Sequence, residues 1–212
     1  MLKHYIVYEG VYVALAVMHK GYIGPLMSWI NNPKTTAGVL TTPPVTYEAE
    51  IAWIEGLAKR GDTDVVLAIL IREGKNWRYI GHTGIHRMTW PDARGSTGSF
   101  IGDASVHGKG IGTEAKLLLL NHAFLVLGLR KITSEVKAFN GNSLGHLLRC
   151  GYRISGVRKE QHFYQGQYVD EILLETFRND FMPIWEHYQE AGALPGLTEA
   201  QRELIKKYSG EK

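Results

Sequence analysis

The chain has 212 residues and a formal net charge of +3. This length is typical of one large domain, or of one domain with an extension. With 44% hydrophobic and 21% charged residues, the composition indicates a globular protein with a proper hydrophobic core. The small net charge disfavours nucleic acid as a partner, because nucleic-acid-binding domains usually cluster Lys and Arg on one face.

The cysteine content limits the chemistry further. The single cysteine, Cys150, excludes an intrachain disulfide and a zinc cluster of several thiolates. We therefore expect no metal and a reducing compartment. The first residues lack a signal-peptide pattern, and every apolar run, including that at 117–120, is far below the roughly 20 residues of a membrane span. We expect a cytoplasmic protein without membrane association.

Apolar periodicity and Gly/Pro punctuation predict the following order of elements. They are a strand at 9–17, a helix at 18–30 interrupted by Gly24-Pro25, a loop at 31–44, a helix at 46–59, an antiparallel pair at 64–73 and 77–88, a strand at 98–103, a helix at 113–128, a strand at 131–139, a helix at 143–150, and strands at 152–158 and 168–176. This order predicts an α+β (mixed α/β) fold, a mixed sheet with helices on both faces.

The C-terminal residues differ in character from the rest. We predict a domain over 1–178 and a helical extension over 179–212, which ends in a charged helix at 198–208. Trp185 and Tyr188 lie at helical spacing in this extension. We expect them to cover part of the sheet or to contact the partner in a homodimer.

The strongest local pattern is a glycine-dense turn at 108–112 between a strand and a long helix. Glycines let the backbone approach a ligand closely, and amides at a helix N-terminus favour an anion such as a pyrophosphate. A Walker loop does not fit, because Gly110 follows Lys109 where Ser or Thr is required. A dinucleotide fingerprint fits poorly, because Thr113 occupies the third glycine position. A coenzyme A (CoA) pyrophosphate loop and a plain tight turn remain.

The chain downstream carries a family resemblance. Residues 131–143 form a strand that ends in Asn140 and Ser143, and a short helix then leads to Gly151-Tyr152. This series, together with the glycine turn, resembles the second half of the GNAT acetyltransferase superfamily. Residues 163–170 resemble the end of its ribosomal-protein (RimJ/RimL-like) branch, and the resemblance covers about residues 8 to 178.

The resemblance implies a mostly antiparallel central sheet that is splayed between two adjacent strands, with the pantetheine arm of acetyl-CoA between them. It implies that an amide near 102–104 polarises the thioester carbonyl, that the glycine turn holds the pyrophosphate, and that Asn140 and Ser143 hold the pantetheine and phosphate region. The expected CoA-binding residues are Gly102, Val106, His107, Gly108, Lys109, Gly110, Ile111, Gly112, Thr113, Asn140 and Ser143.

Two carboxylates are candidates for the base that deprotonates the attacking amine. Glu135 is the first choice, because the resemblance places the base five residues before Asn140. Strand alternation puts it on one face with Thr133 and Lys137. Asp103 is the second choice.

The family's usual acid is missing. Many members place a Tyr four residues before the glycine that corresponds to Gly151, where it protonates the leaving thiolate. Here that position holds Leu147. Either no acid is needed, since a thiol leaves tolerably as its anion, or another Tyr, such as Tyr164, serves. His82 and His86, four apart on one strand face, are expected to line the acceptor pocket.

These observations predict an N-acetyltransferase that moves an acetyl group from acetyl-CoA to a primary amine by direct attack in a ternary complex. The acceptor would be a protein N-terminus or a small amine. The alternative is a non-catalytic acyl-CoA sensor, which the missing Tyr makes conceivable.

Overall fold

The computed structural model describes residues 3–39 and 43–209. Predictions that concern residues 1–2, 40–42 and 210–212 lie outside these ranges. The strands are β1 (Ile6–Glu9), β2 (Val13–Val17), β3 (Val65–Glu73), β4 (Asn76–Thr89), β5 (Arg94–Ile101), β6 (Lys131–Lys137), β7 (Arg153–Tyr164) and β8 (Gln167–Phe177). The helices are α1 (Ile23–Ile30), α2 (Pro33–Thr36), α3 (Tyr47–Gly56), α4 (Ile111–Asn121), α5 (Gly141–Arg149), α6 (Arg178–Ala191) and α7 (Glu199–Ser209).

All eight strands join one sheet in the order β1-β2-β3-β4-β5-β6-β8-β7. Every neighbouring pair is antiparallel except β5 and β6. These two strands pair at only three positions, from Arg94 opposite Lys131 to Ser96 opposite Thr133, and then diverge. The predicted α+β fold and the splay between two adjacent strands are therefore confirmed.

The helices cover both faces of the sheet, as strand alternation requires. On β2, Val13 and Leu15 join the larger core with α4, α5 and α6. Ala14 and Ala16 point the other way, into a smaller core that contains Tyr22 and other residues of the α1 side. The opening between β5 and β6 therefore connects two differently packed faces.

Three predicted boundaries are corrected near the N-terminus. The predicted strand 9–17 is a hairpin, because residues 10–12 form a turn between β1 and β2. Helix α1 runs through Gly24-Pro25, since Pro25 lies in the first turn, where no N–H is needed. The predicted loop contains the short α2, which Asn32 caps by accepting from the Lys34 amide at 3.0 Å.

The C-terminal part is integrated into the larger core. Helix α6 forms the first part of the predicted helical extension and starts directly after β8. Its Phe181, Trp185 and Tyr188 are buried in that core, which includes side chains of the sheet, so the prediction that Trp185 and Tyr188 cover part of the sheet is confirmed. The homodimer stays a prediction. None of the helices in the described ranges combines the length and apolar character that a membrane span requires.

Candidate active site

The glycine turn adopts the geometry that its composition predicts. After β5, Asp103 accepts from the Ser105 amide at 2.9 Å and caps a short 3-10 turn. Gly108 and Gly110 then take φ values of +75° and +80°, in the left-handed region that favours glycine. Gly110 is the N-cap of α4, which begins at Ile111.

This turn leaves an unusually rich set of free donors. The amides of residues 108–113 have no hydrogen-bond acceptor among the described residues, whereas the Glu114 amide already donates to the Gly110 carbonyl. The α4 dipole adds positive potential at the same place. The turn, named the cradle below, therefore presents free donors of the kind that bind an anion such as a diphosphate.

A cavity of about 420 Å³, here named the CoA cavity, lies over the cradle and beneath the start of α5. Its lining includes nine of the eleven predicted CoA-binding residues, namely Val106, His107, Gly108, Gly110, Ile111, Gly112, Thr113, Asn140 and Ser143. Asn140 caps α5 by accepting from the Ser143 amide at 3.1 Å.

Gly102 and Lys109 do not line this cavity. The Gly102 amide donates to the Ile80 carbonyl at 2.9 Å, so it is not free to polarise a thioester. Gly102 also packs closely under the indole ring of Trp29. Gly102 therefore allows the close approach of α1 to β5, and this geometry does not support its predicted contact with CoA.

A second cavity, of about 620 Å³ and here named the acceptor cavity, opens between α1, α3 and the diverging strands. It adjoins the CoA cavity. Residues common to both linings are Gly38, Val39, Ser99, Phe100, Ser143 and His146. The two cavities thus meet where β5 and β6 separate.

Lys137 on β6 holds one wall of this junction. Its Nζ donates to the carbonyls of Ala37 at 3.1 Å and Val39 at 2.8 Å. Burial lowers the pKa of Lys137. The Lys137 ammonium therefore holds the segment after α2 against the sheet.

Glu135 lines the acceptor cavity, as expected for the predicted base. It lies opposite Leu173 on β8, and its side chain is 23% exposed. Arg87 Nη2 donates to its carboxylate at 3.4 Å and Arg158 Nη1 lies 3.7 Å away. These contacts are long, so the carboxylate keeps room to accept a hydrogen bond from water.

Asp103 is differently placed. It lines neither cavity and forms an ion pair with Arg78. Although burial opposes ionisation, the hydrogen bonds from Ser105 and Arg78 lower the pKa of Asp103 to about 2. The geometry therefore disfavours Asp103 as a base and gives it a structural role.

Both predicted histidines line the acceptor cavity. His82 packs against the rings of Trp53 and Phe100, with centroids 5.1 and 5.5 Å apart. Desolvation, followed by the proximity of His86, lowers the pKa of His82 to about 4. The Nδ1 atom of His86 lies 2.8 Å from Asp64 Oδ1, a hydrogen bond that fixes its ring.

Three ionisable groups of this site were not predicted from the sequence. Glu50 of α3 is buried in the acceptor cavity and makes no ion pair within the described residues, and burial raises its pKa. Lys116 of α4 is 1% exposed and lines the same cavity. The Nε2 atom of His146 is buried without a hydrogen-bond partner in the described part of the chain, at the junction of the cavities.

The remaining candidates are apolar or remote. Leu147, at the position of the family's Tyr, lines the acceptor cavity. Tyr164 stacks on Phe139 at 4.5 Å between centroids and lines neither cavity. Cys150 is buried and burial raises the pKa of its thiol to about 12. Within residues 3–39 and 43–209, no three His, Cys, Asp or Glu side chains are grouped as metal ligands.

A sheet opened between two strands, with an anion cradle at one side of the opening, is the architecture of a CoA-binding acyltransferase fold. The model of the acetyltransferase (GNAT) domain family matches residues 16–153, well over half of the chain. The chain therefore belongs to the GNAT acetyltransferase family, and the resemblance found in the sequence is confirmed.

A curated relative shares part of this sequence. The spermidine N(1)-acetyltransferase of Escherichia coli strain K12 is 28% identical over 75 residues, which are 35% of this chain and 40% of the relative. The chain thus matches less than half the length of that relative.

Solved structures extend the likeness of fold. A Vibrio cholerae spermidine N-acetyltransferase in complex with CoA and spermine has a TM-score of 0.73 at 16% identity, covering 80% of this chain and 98% of that chain. Mycobacterium smegmatis RimJ in complex with CoA-disulfide has a TM-score of 0.72 at 19% identity, covering 89% and 92%. A GCN5-related N-acetyltransferase from Brucella melitensis has a TM-score of 0.70 at 20% identity, covering 99% and 95%.

Proposed function

We propose that this protein is an N-acetyltransferase that transfers the acetyl group of acetyl-CoA to a primary amine by direct attack in a ternary complex. The supporting observation is that an anion-binding cavity and a separate acceptor cavity meet between β5 and β6. Acyl transfer in a ternary complex needs two substrates whose reacting atoms approach each other. The sheet opening offers such a place.

The CoA cavity supplies the binding of the donor. The free amides at the start of α4 hold the pyrophosphate, while Asn140 and Ser143 lie along the path from the cradle to the junction. The bound cofactor supplies the activated acetyl thioester. Cys150 lines neither cavity and its thiol pKa is raised to about 12, which favours direct transfer over an acyl-cysteine intermediate.

Glu135 is the proposed base. An amine attacks only as its neutral form, so a group beside the acceptor must remove a proton. Glu135 lines the acceptor cavity and its long contacts with Arg87 and Arg158 leave it able to bind a water. The carboxylate then takes the proton of the amine through that water.

The charges of the acceptor cavity favour an acceptor with one or two cationic groups. Glu135 and Glu171 are already paired with arginines, and Glu50 is the carboxylate without an ion pair among the described lining residues. A polyamine would place three or more charges in a cavity that also contains Lys116. We therefore favour a protein N-terminus or a small monoamine over a polyamine.

A test follows the release of free CoA thiol. Acetyl-CoA is incubated with the protein and a panel of amines, comprising a peptide with an N-terminal alanine, a small aliphatic monoamine and spermidine. We expect turnover with the peptide or the monoamine. Glu135→Gln should lower kcat about 100-fold or more, while the KM for acetyl-CoA stays within about twofold.

Glu175→Gln is the matched control. Glu175 is a neighbouring sheet carboxylate that pairs with Lys131 and Arg153 and does not line the acceptor cavity. We expect this variant to retain wild-type kcat. Tight CoA binding without thiol release on any amine would contradict the proposal and favour the acyl-CoA sensor.

A further inference from the structure

In the proposed reaction, the negative charge that develops on the leaving CoA sulfur must be neutralised. When the thioester C–S bond breaks, the sulfur leaves as a thiolate unless an acid gives it a proton. The position where the family resemblance expects a Tyr holds Leu147, which lines the acceptor cavity. No tyrosine of the described residues lines either cavity. The structure therefore offers no tyrosine acid in these ranges.

A different proton donor lines the same cavity as Leu147. Lys116 projects from α4 into the same cavity, and it is 1% exposed. Its ammonium makes no hydrogen bond or ion pair with any described residue. Burying an unpaired ammonium is costly. A buried cation that lines a cavity and lacks a protein partner in the described ranges is a candidate functional group.

The other cations of the acceptor cavity are already engaged. Arg87 donates to Ser96 and Glu135. Lys137 donates to two main-chain carbonyls after α2. Among the described lysines that line the acceptor cavity, Lys116 is the one whose ammonium donates no hydrogen bond to the protein.

The titratable groups that face Lys116 do not compete with it as proton donors. His146 and Cys150 of the α5 segment are the titratable neighbours, with Arg149 beyond them and Tyr152 behind Cys150. Burial and the charge of Lys116 lower the pKa of His146 to about 3, so its ring is neutral. The Cys150 thiol, with a pKa raised to about 12, is also neutral. Across the cavity, Glu135 is held by Arg87 and Arg158.

We propose that Lys116 is the general acid that protonates the departing CoA thiolate, in place of the missing tyrosine. This inference rests on the proposed function. The amine nitrogen forms the new C–N bond and loses a proton to Glu135 through water. The C–S bond breaks, and its electron pair takes a proton from the Lys116 ammonium. Solvent reprotonates the lysine before the next turnover.

Burial makes the Lys116 ammonium a stronger acid, which supports this assignment. It lowers the pKa of Lys116 to about 8. That value lies close to the ~8.5 of a free thiol, and proton transfer is efficient between groups of matched pKa. An ordinary surface lysine, with a pKa near ~10.4, would be a weaker acid for the same sulfur.

Steady-state kinetics of Lys116→Met and Lys116→Arg form the first half of the test. We expect kcat to fall about 100-fold in both variants, with the KM values for acetyl-CoA and the amine within about threefold. The wild-type kcat should decline above pH about 8, and this basic limb should vanish in the Met variant. Because arginine keeps its proton, recovery by Lys116→Arg, or a loss confined to KM, would indicate charge binding and overturn the acid role.

The second half needs no turnover. The thiolate absorbance of CoA bound to the protein is titrated against pH. An ammonium beside the sulfur stabilises the thiolate, so Lys116→Met should raise the pKa of the bound thiol relative to wild type, and Lys116→Arg should not. An unchanged thiol pKa in the Met variant overturns the proposal. If wild-type protein acetylates no amine, the proposed function fails, and the titration still decides whether Lys116 contacts the sulfur.

Discussion

Helix α4 buries two charged side chains two residues apart, and the two are treated in opposite ways. Glu114 is fully buried and accepts from the amides of Val11 at 2.6 Å and Tyr12 at 3.0 Å, and from the Tyr188 hydroxyl. Lys116 is equally buried and has no partner among the described residues. Because a helix turns about 100° per residue, these side chains leave α4 in nearly opposite directions.

The difference separates a stabilising charge from a functional one. Glu114 fastens the β1–β2 turn and α6 to α4, so its charge is fully hydrogen-bonded by the protein itself. Lys116 faces the acceptor cavity, where the protein provides no counterpart in the described ranges. A buried charge with protein partners supports the fold, and one without them is a cost that a functional site bears.

Removing Glu114 is expected to have the largest effect on stability. Glu114→Ala should lower the free energy of unfolding by about 3–4 kcal/mol, because it leaves two amides and a tyrosine hydroxyl without their acceptor. Urea denaturation measures this loss. Glu203→Ala is the control, since Glu203 is exposed and its ion-pair partner among the described residues is Lys206, and it should change stability by less than ~0.5 kcal/mol. A loss below about 1 kcal/mol for Glu114→Ala would show that water replaces these contacts.

Replacing Lys116 should instead increase the free energy of unfolding. Lys116→Met should raise the free energy of unfolding at pH 7 by about 2–3 kcal/mol, because it removes a buried charge whose pKa falls from 10.5 to about 8 on folding. Below pH about 8 the lysine is protonated in both states, so the full penalty applies. As the pH rises from about 8 to 10.5, the folded protein releases this proton first, and the wild type approaches the variant in stability. Denaturation at pH 7 and pH 10 measures this convergence, and a pH-independent difference would contradict it.

A smaller effect is expected at the first residues of the same helix. Gly110→Ala should weaken CoA binding about tenfold, because it strains a residue at φ +80° by ~1–2 kcal/mol. The added Cβ would also lie 2.5 Å from Leu194 Cδ1. Gly108→Ala carries similar backbone strain without a close neighbour, so its effect should be weaker. Calorimetric titration with CoA ranks the two.

Gly61→Ala is the control for this pair, since Gly61 has a negative φ and open space around it. It should bind CoA like the wild type. Equal affinities for all three variants would mean that the cradle amides do not determine CoA binding.

Much of the fold and of the CoA cradle could be predicted because the signals are local. Glycines at 108 and 110 predict left-handed backbone before a helix, and both have positive φ. Alternation along β6 put Glu135 on one face with Thr133 and Lys137, but its choice as the base came from the family resemblance; it lines the acceptor cavity. The splay itself came from the family resemblance, since no local pattern encodes the divergence of two strands.

Other features depend on contacts between residues that are far apart in the sequence. The sequence predicts a helical extension from residue 179, and α6 within it contributes three side chains to the main core. The amide of Gly102 was expected to be free, but Ile80 on the neighbouring strand accepts its hydrogen bond. Each outcome is set by a partner that is distant in the chain.

The sequence by itself determined most of the order of elements, the glycine turn before α4 and the membership of an acetyltransferase family. These features follow from backbone preferences and short-range spacing, which are written in consecutive residues. Only the tertiary structure decided which charges are satisfied. The position of Lys116 next to the apolar run 117–120 is a hint in the sequence that this lysine is buried. Most helical lysines, however, extend their ammonium to water. That Lys116 instead ends in a cavity follows from the packing of α4 against α5 and the sheet, and solvation is a property of the folded surroundings.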